Sequence, residues 1–272
     1  MGNKPKYKNV VFLVEGKSER KVFSLAIPMY YDHIDTNYKV HFPIISEPST
    51  EEETYRDIGG DITAQKGSTP LTIMGCICKQ FLEKFFDETK VYPRHVSEII
   101  HIIDMDGAYI PDDMIFEGEN PTGQRKTYYS VDGILTDNVP KIVQRNARKR
   151  DNIDFLVQQH SIRVRQNQDN PASKKQEIPY SIYYFSSNLD HFIHHSANLS
   201  GREKVNLSEQ FNYGFLSDIE LFARYFIEDP DAAIGMTYEE SWNYIRQRNR
   251  NSLDRHTNIN LLFEKLLREG LK

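Results

Sequence analysis

The chain reads as an α/β protein: a parallel sheet flanked by helices, followed by a helical C-terminal region. Three observations predict this. Two short runs are apolar on both faces, NVVFLV at 9–14 and EIIHIID at 98–104, as strands buried in a parallel sheet are. Segments of helical periodicity alternate with them. Beyond residue 197 the pattern is helical only.

Taken in order, Asn9 to Val14 forms the first strand. Ser18 is placed to cap a helix over SERKVFSLAIPMYY, whose Val22, Phe23, Ala26 and Ile27 share one face, and Pro28 is expected to disturb its end. A second strand is expected at Tyr38–Ile45, with Pro43 making it an edge strand or ending it early. Residues 46–67 are polar and acidic, contain Gly59-Gly60, and read as a loop. The next helix is capped by Ser68 or Thr69, has Pro70 in its first turn, and carries its apolar face through Phe81, Leu82 and Phe85. The third strand is Glu98–Asp104. The resulting β-α-β-α-β order implies parallel strands joined by right-handed crossovers.

After Gly107 a polar excursion leads to a helix at about Pro140–Gln159, then a polar linker at 165–179 and a fourth strand, Tyr180–Phe185. Helices follow at Leu216–Ile227, Thr237–Arg248 and Asn258–Leu267, the second opened by a Thr237/Glu240 capping box. The expected organisation is a core over 1–196, with an insertion at about 108–179, and a helical region over 197–272.

Composition narrows the class. Of the 272 residues, 39% are hydrophobic and 12% aromatic, which argues against a disordered chain. No run approaches the ~20 apolar residues of a membrane span. The apolar run near the N-terminus is closed by Glu15 and is too short for a signal peptide, so a cytoplasmic protein is expected. Cys76 and Cys78 lie two apart in a helical pattern, where their side chains diverge, and buried packing is expected for both. A net charge of −5 argues against non-specific coating of nucleic acid. Two basic runs stand out nevertheless: Lys141, Arg145, Arg148, Lys149 and Arg150, and Arg246, Arg248, Arg250 and Arg255. Such runs serve as solvated helix faces or as phosphate contacts.

Chemistry concentrates at two strand ends. Ligands collect at the carboxyl ends of parallel strands. The first strand ends in Glu15-Gly16 and the third in Asp104-Met105-Asp106-Gly107. Residues two apart in an extended chain face the same side, ~7 Å apart, so Asp104 and Asp106 can address one cation, and Gly107 permits a sharp turn after them. Hard carboxylate oxygens suit Mg²⁺ or Mn²⁺. Asp190 follows the fourth strand, where it is a second-metal candidate or a helix N-terminal acid favoured by the dipole. His191, His194 and His195 share that segment, without the Glu-containing pattern of a zinc protease.

VVFLVEGKSE and IIHIIDMDG, in this order and strand context, resemble the Toprim family of primases, topoisomerases and OLD-type nucleases, over roughly residues 8–107 and on toward His195. The resemblance implies a Toprim-like core in which Asp104 and Asp106 bind metal while Glu15 binds metal or moves protons. It also implies metal-dependent hydrolysis of a phosphodiester in DNA or RNA, with Asp190 as a further ligand and the basic runs steering the nucleic acid. The absence of an ATPase domain in the chain resembles stand-alone nuclease subunits of anti-phage and abortive-infection systems. That likeness implies a separate ATPase partner, a toxin-like effector role, tRNA as one substrate, and self-association as an open possibility.

Rival motifs are weaker. A P-loop needs a glycine five residues before Gly16, where Val11 stands, and an EF-hand glycine would fall at the sixth loop position, not the fourth. DMDGA is similar to the DxDGT of haloacid dehalogenase-like phosphatases, with Asp104 as nucleophile, but it lacks the threonine, comes late in the chain and leaves Glu15-Gly16 without a role. A Toprim-like fold acting only as a binding subunit is the non-enzymatic alternative.

Overall fold

The computed structural model describes residues 7–48, 55–57, 59–119, 121, 123, 127–165 and 174–270. The first apolar run forms β1 (Lys8–Leu13), whose Val10 to Leu13 are fully buried. Helix α1 (Lys17–Ile34) follows at once. Its N-cap is Gly16, not Ser18, which lies inside the first turn. Glu19 folds back over Gly16, so that a Cβ on Gly16 would meet Glu19 Oε2 at 2.7 Å, and an acid in the first turn complements the helix dipole. Pro28 does not end the helix, which runs on to Ile34. The hydrogen bond Pro28 cannot make would go to the carbonyl of Ser24, an exposed residue where water can substitute. β2 (Tyr38–His41) pairs in parallel with β1, from Lys8↔Tyr38 to Val11↔His41, and stops before Pro43.

The stretch expected as loop holds a short antiparallel pair, β3 (Ser46–Pro48) and β4 (Tyr55–Asp57). The following helical run starts later than the Ser68/Thr69 cap predicts. It consists of α2 (Ile73–Ile77), a π-helical turn at Cys78–Leu82 and α3 (Glu83–Thr89). Ser68 is buried instead, its hydroxyl donating to the Gln65 carbonyl at 2.8 Å and accepting from Asn152 at 3.0 Å. Cys76 and Cys78 are free thiols and only half-buried. The chain then enters β5 (Val96–Asp104), parallel to β1 with Val11↔Ile99 and Leu13↔His101.

The excursion after Gly107 contains β6 (Ile115–Glu117), β7 (Thr127–Tyr129) and β8 (Ile134–Thr136), a three-stranded sheet ordered β6-β8-β7. Helix α4 (Val139–Leu156) follows, then β9 (Ser161–Arg165) and β10 (Lys175–Phe185). β9 was not foreseen. The central part of the expected linker, 166–173, lies outside the described residues. The helices of the last third are α5 (Leu189–His194), α6 (Gly201–Tyr213), α7 (Ile219–Glu228), α8 (Tyr238–Ile245) and α9 (Ile259–Gly270). The Thr237/Glu240 capping box is present on α8, and Ser200/Glu203 form another on α6.

The main sheet has the order β2-β1-β5-β10-β9. β2, β1 and β5 run parallel and β10/β9 antiparallel, giving a mixed, mostly parallel sheet flanked by helices. The chain forms two compact units, Met1–Ile102 with Asn152–Ile182, and Ile103–Asp151 with Tyr183–Lys272. They interleave along the chain. In the first unit Phe12 stacks on Phe42 at 5.2 Å and meets the edge of Tyr31 at 6.1 Å. His101 is fully buried and hydrogen-bonded through Nδ1 to the Tyr180 hydroxyl at 2.8 Å. In the second, Phe226 stacks between Phe192 at 5.8 Å and Phe263 at 5.3 Å, while Tyr184 packs against Trp242 at 4.9 Å. Among the described residues no helix is long and apolar enough to cross a membrane.

Candidate metal centre

In the first unit, Glu15 lies just beyond β1, after Val14. The Gly60 N–H donates to its carbonyl at 2.6 Å, and Gly59, at φ +63°, approaches so closely that a Cβ there would lie 3.2 Å from the same oxygen. The Gly59-Gly60 pair therefore docks the polar stretch against the end of β1, where a side chain would both crowd and strain the backbone. Asp61 comes next. Its Oδ1 accepts from Thr63 N–H at 2.8 Å, from the Thr63 hydroxyl and from Ala64 N–H at 3.1 Å. Asn152 secures the far side of this loop by donating to the Thr63 carbonyl at 2.8 Å.

In the second unit, the chain leaves β5 through Asp104-Met105-Asp106-Gly107. Asp106 takes the left-handed conformation at φ +51°, unusual for a residue with a side chain, and Gly107 follows at φ +69°. A Cβ on Gly107 would meet Leu253 Cδ2 at 2.7 Å and Ile134 Cδ1 at 3.0 Å, so the sharp turn requires glycine. Backbone bonds fix this turn: Met105 N–H to the Phe185 carbonyl and Asp106 N–H to that of Ser187, both at 2.8 Å, and Gly107 N–H to that of Ser252 at 3.0 Å.

One face of α4 grips the same turn. Lys149 Nζ lies 3.0 Å from Asp106 Oδ2, and Arg145 Nη2 donates to the Asp106 carbonyl at 2.8 Å. Asn146 donates to the Gly107 carbonyl at 3.2 Å, and Arg150 to that of Ala108 at 2.8 Å. From β7, the Tyr129 hydroxyl donates to Asp106 Oδ1 at 2.9 Å and accepts from Arg145 at 3.3 Å. Burial alone would raise the Asp106 pKa. The Lys149 and Arg145 charges overcome it and hold the carboxyl at about 2, so Asp106 stays ionised. Burial and the Asp106 charge push the Tyr129 hydroxyl well above its ordinary range.

Glu15, Asp61 and Asp106, each half-buried, offer carboxylate oxygens that all lie within 4.8 Å of one another, an acidic trio able to hold a metal ion. Two of the three strand-end acids singled out by sequence are thus brought together. Asp104 stands outside the trio, its Oδ1 accepting the Leu189 N–H at 2.9 Å in the first turn of α5. Asp61 was missed. Its signal, an acid immediately after Gly59-Gly60, is visible only once that pair is known to dock against β1.

Asp190 is not part of the trio. It is buried, and its carboxylate is ion-paired with Lys204 from α6, which balances its charge without a metal. His191 and His194 titrate below the ordinary histidine range, first because of burial. His195 is the left-handed C-cap of α5.

The basic runs divide. Lys149 departs from the expected surface role: it is fully buried, inside α4's contact with the DMDG turn. Arg145 is turned to the same place, and Arg150 reaches it with one donor. Lys141 is exposed and Arg148 half-buried. Arg246 lies over the Trp242 ring at 5.8 Å, Arg248 sits 3.4 Å from Asp112, and Arg250 pairs with Asp254 at 2.9 Å. Arg255 is held between Asp229 and Asp231.

Neither family models, curated proteins nor solved structures give a match to this chain. The reading of its function therefore stands on the residues themselves.

Proposed function

We propose that this protein is a divalent-cation-dependent hydrolase of phosphodiester bonds in nucleic acid, with Glu15, Asp61 and Asp106 as the cation-binding carboxylates. The observation that carries the reading is the convergence of these three carboxylates, whose offered oxygens lie within 4.8 Å of one another. The donor set is all hard oxygen, which fits Mg²⁺ or Mn²⁺ and does not favour zinc. The Glu-Gly and Asp-x-Asp strand ends that resemble the Toprim family support the substrate class.

A cation bound there would supply Lewis-acid polarisation of a phosphoryl oxygen. The chain's own contributions are positional. Lys149 and Tyr129 hold the Asp106 carboxylate by both oxygens, and the Thr63 and Ala64 donors fix Asp61 through one of its own. Asp104 braces the turn by accepting from the α5 backbone. Glu15 is the group assigned to proton transfer. Exposed Lys141 and Arg248 are the basic side chains assigned to the polyanion. Work with a separate ATPase, as an effector of anti-phage defence acting on tRNA or DNA, extends the same resemblance.

The test is Mn²⁺ binding by titration calorimetry, together with cleavage of duplex DNA, total RNA and tRNA. Wild type is compared with Glu15→Gln, Asp61→Asn and Asp106→Asn. Each substitution is expected to weaken Mn²⁺ binding by at least about tenfold and to abolish metal-dependent cleavage. Wild-type Mn²⁺ affinity in Glu15→Gln and Asp61→Asn would overturn the site.

A further inference from the structure

A lysine ammonium is rarely fully buried unless paired, because removing the charge from water is costly. Lys149 has no exposed side-chain surface, and it sits 3.0 Å from Asp106 Oδ2. It projects from the middle of α4, one turn beyond Arg145, whose guanidinium holds the Asp106 backbone carbonyl, Asn146 Oδ1 and the Tyr129 hydroxyl. The ammonium thus belongs to a rigid helix face clamped onto the turn, and no solvent at Lys149 screens its charge.

We propose that Lys149 is a permanent counter-charge at the acidic trio, which lowers the site's affinity for cations, and most for those of highest charge. This rests on the reading of Glu15, Asp61 and Asp106 as a cation site. Three carboxylates carry three negative charges. Lys149, paired directly with an Asp106 oxygen, opposes that charge from within the site's own wall. A trivalent ion of similar size would gain most from the trio alone, and it is the ion most penalised by a fixed positive neighbour. The penalty is a Coulomb term, linear in the charge of the incoming ion. Arg145 acts in the same sense, but through the backbone oxygen and not the carboxylate.

Linearity gives a signature that a merely structural lysine would not produce. Removing the Lys149 charge tightens binding of every cation, and the logarithm of the gain for a trivalent ion is about 1.5 times that for a divalent one. A tenfold gain for Mn²⁺ then accompanies a gain of about thirtyfold for Tb³⁺.

The experiment measures Mn²⁺ by its electron paramagnetic resonance signal and Tb³⁺ by sensitised luminescence, on wild type, Lys149→Met and Lys149→Arg. Lys149→Met is expected to tighten both, Tb³⁺ more than Mn²⁺, while Lys149→Arg keeps the wild-type ratio of the two affinities. Lys149→Met removes the ion pair at Asp106 Oδ2 and is at risk of unfolding, so Asp106→Asn is compared with Asp106→Asn/Lys149→Met. Replacing a buried ion pair by groups of similar volume is often tolerated. If the lysine charge opposes the cation, the double variant binds Mn²⁺ about tenfold more tightly than Asp106→Asn. An unchanged ratio in Lys149→Met, or a double variant no tighter than Asp106→Asn, overturns the role of Lys149 while leaving the cation site standing. Mn²⁺ and Tb³⁺ binding insensitive to Glu15→Gln and Asp61→Asn would remove the site, and the role of Lys149 with it.

Discussion

Replacing Arg255 by methionine separates a structural arginine from a substrate-steering one. The guanidinium reaches Asp229 through two nitrogens, at 2.5 and 2.8 Å, and Asp231 at 2.5 Å. It also donates to the Phe192 carbonyl at 2.8 Å and lies 4.5 Å over the Phe192 ring. The two acids differ in one decisive respect: the Asp229 side chain is 10% exposed, that of Asp231 47%. Arg255→Met strands a buried carboxylate at Asp229, a loss of about 3–5 kcal/mol for a broken buried pair. At Asp231 water takes over, and Asp231→Asn should cost less than about 1 kcal/mol. Because the cost lies in the stranded charge, Asp229→Asn on top of Arg255→Met should recover at least half of the loss. The assay is urea unfolding followed by fluorescence of Trp242, the chain's one tryptophan, fully buried in the same unit. The reasoning fails if Arg255→Met loses less than about 1 kcal/mol, or if the double variant is no more stable than the single.

Two further expectations concern stability. His256 is buried, with Nδ1 donating to the Asp231 carbonyl and its ring 4.5 Å from that of Tyr244. Burial lowers its pKa below the ordinary 6.5. The unfolded chain therefore takes up a proton first as pH falls, so the stability His256 contributes is full above about 6.5 and is lost below it, by up to about 1.4 kcal/mol per pH unit. His256→Asn should flatten the fall in stability between pH 7 and 5, and an unaltered slope would contradict the assignment. Gly133, at φ +149°, would place a Cβ 2.0 Å from the Met114 carbonyl oxygen, whereas a Cβ on Gly235, at φ +72°, meets nothing within 4 Å. Gly133→Ala should cost more than about 3 kcal/mol by forcing apart β6 and β8, and Gly235→Ala only about 1–2 kcal/mol from the backbone itself. Equal thermal shifts for the two would refute the distinction.

Where local physics decides structure, the sequence was readable. NVVFLV and EIIHIID became adjacent parallel strands because neither run offers a face that water could solvate. Pro43 marked the end of β2, and the Thr237/Glu240 box marked the start of α8. What stayed hidden depends on distant partners. β9 (SIRVR) alternates apolar residues with arginines and is short; it becomes a strand by pairing with β10, from Ile162↔Ile178 to Arg165↔Lys175. Ser68 looks like a helix cap until Asn152, 84 positions away, claims its hydroxyl. Asp61 sits in a polar stretch with no periodicity, and only the docking of Gly59-Gly60 on Glu15 gives it a place.

The basic run of α4 divides by helical position. Counted as composition, Lys141 to Arg150 is a cluster of positive charge, and a solvated face or a phosphate contact is the natural inference. Counted by helical position, Arg145, Asn146, Lys149 and Arg150 stand at i, i+1, i+4 and i+5, a single face; Arg148 projects elsewhere, and Lys141, one turn before Arg145 on the same stripe, is exposed at the start of the helix. A face made of two cations, an amide and a third cation can be buried only against an acid and a row of free carbonyls. A strand leaving a sheet through Asp-x-Asp-Gly supplies both, because its sharp turn points carbonyls away from any ladder partner. The contacts found are of that kind: Lys149 on the Asp106 carboxylate, and Arg145, Asn146 and Arg150 on the carbonyls of Asp106, Gly107 and Ala108. Helical position and place along the helix, more than the number of charges, mark which of them reach the DMDG turn.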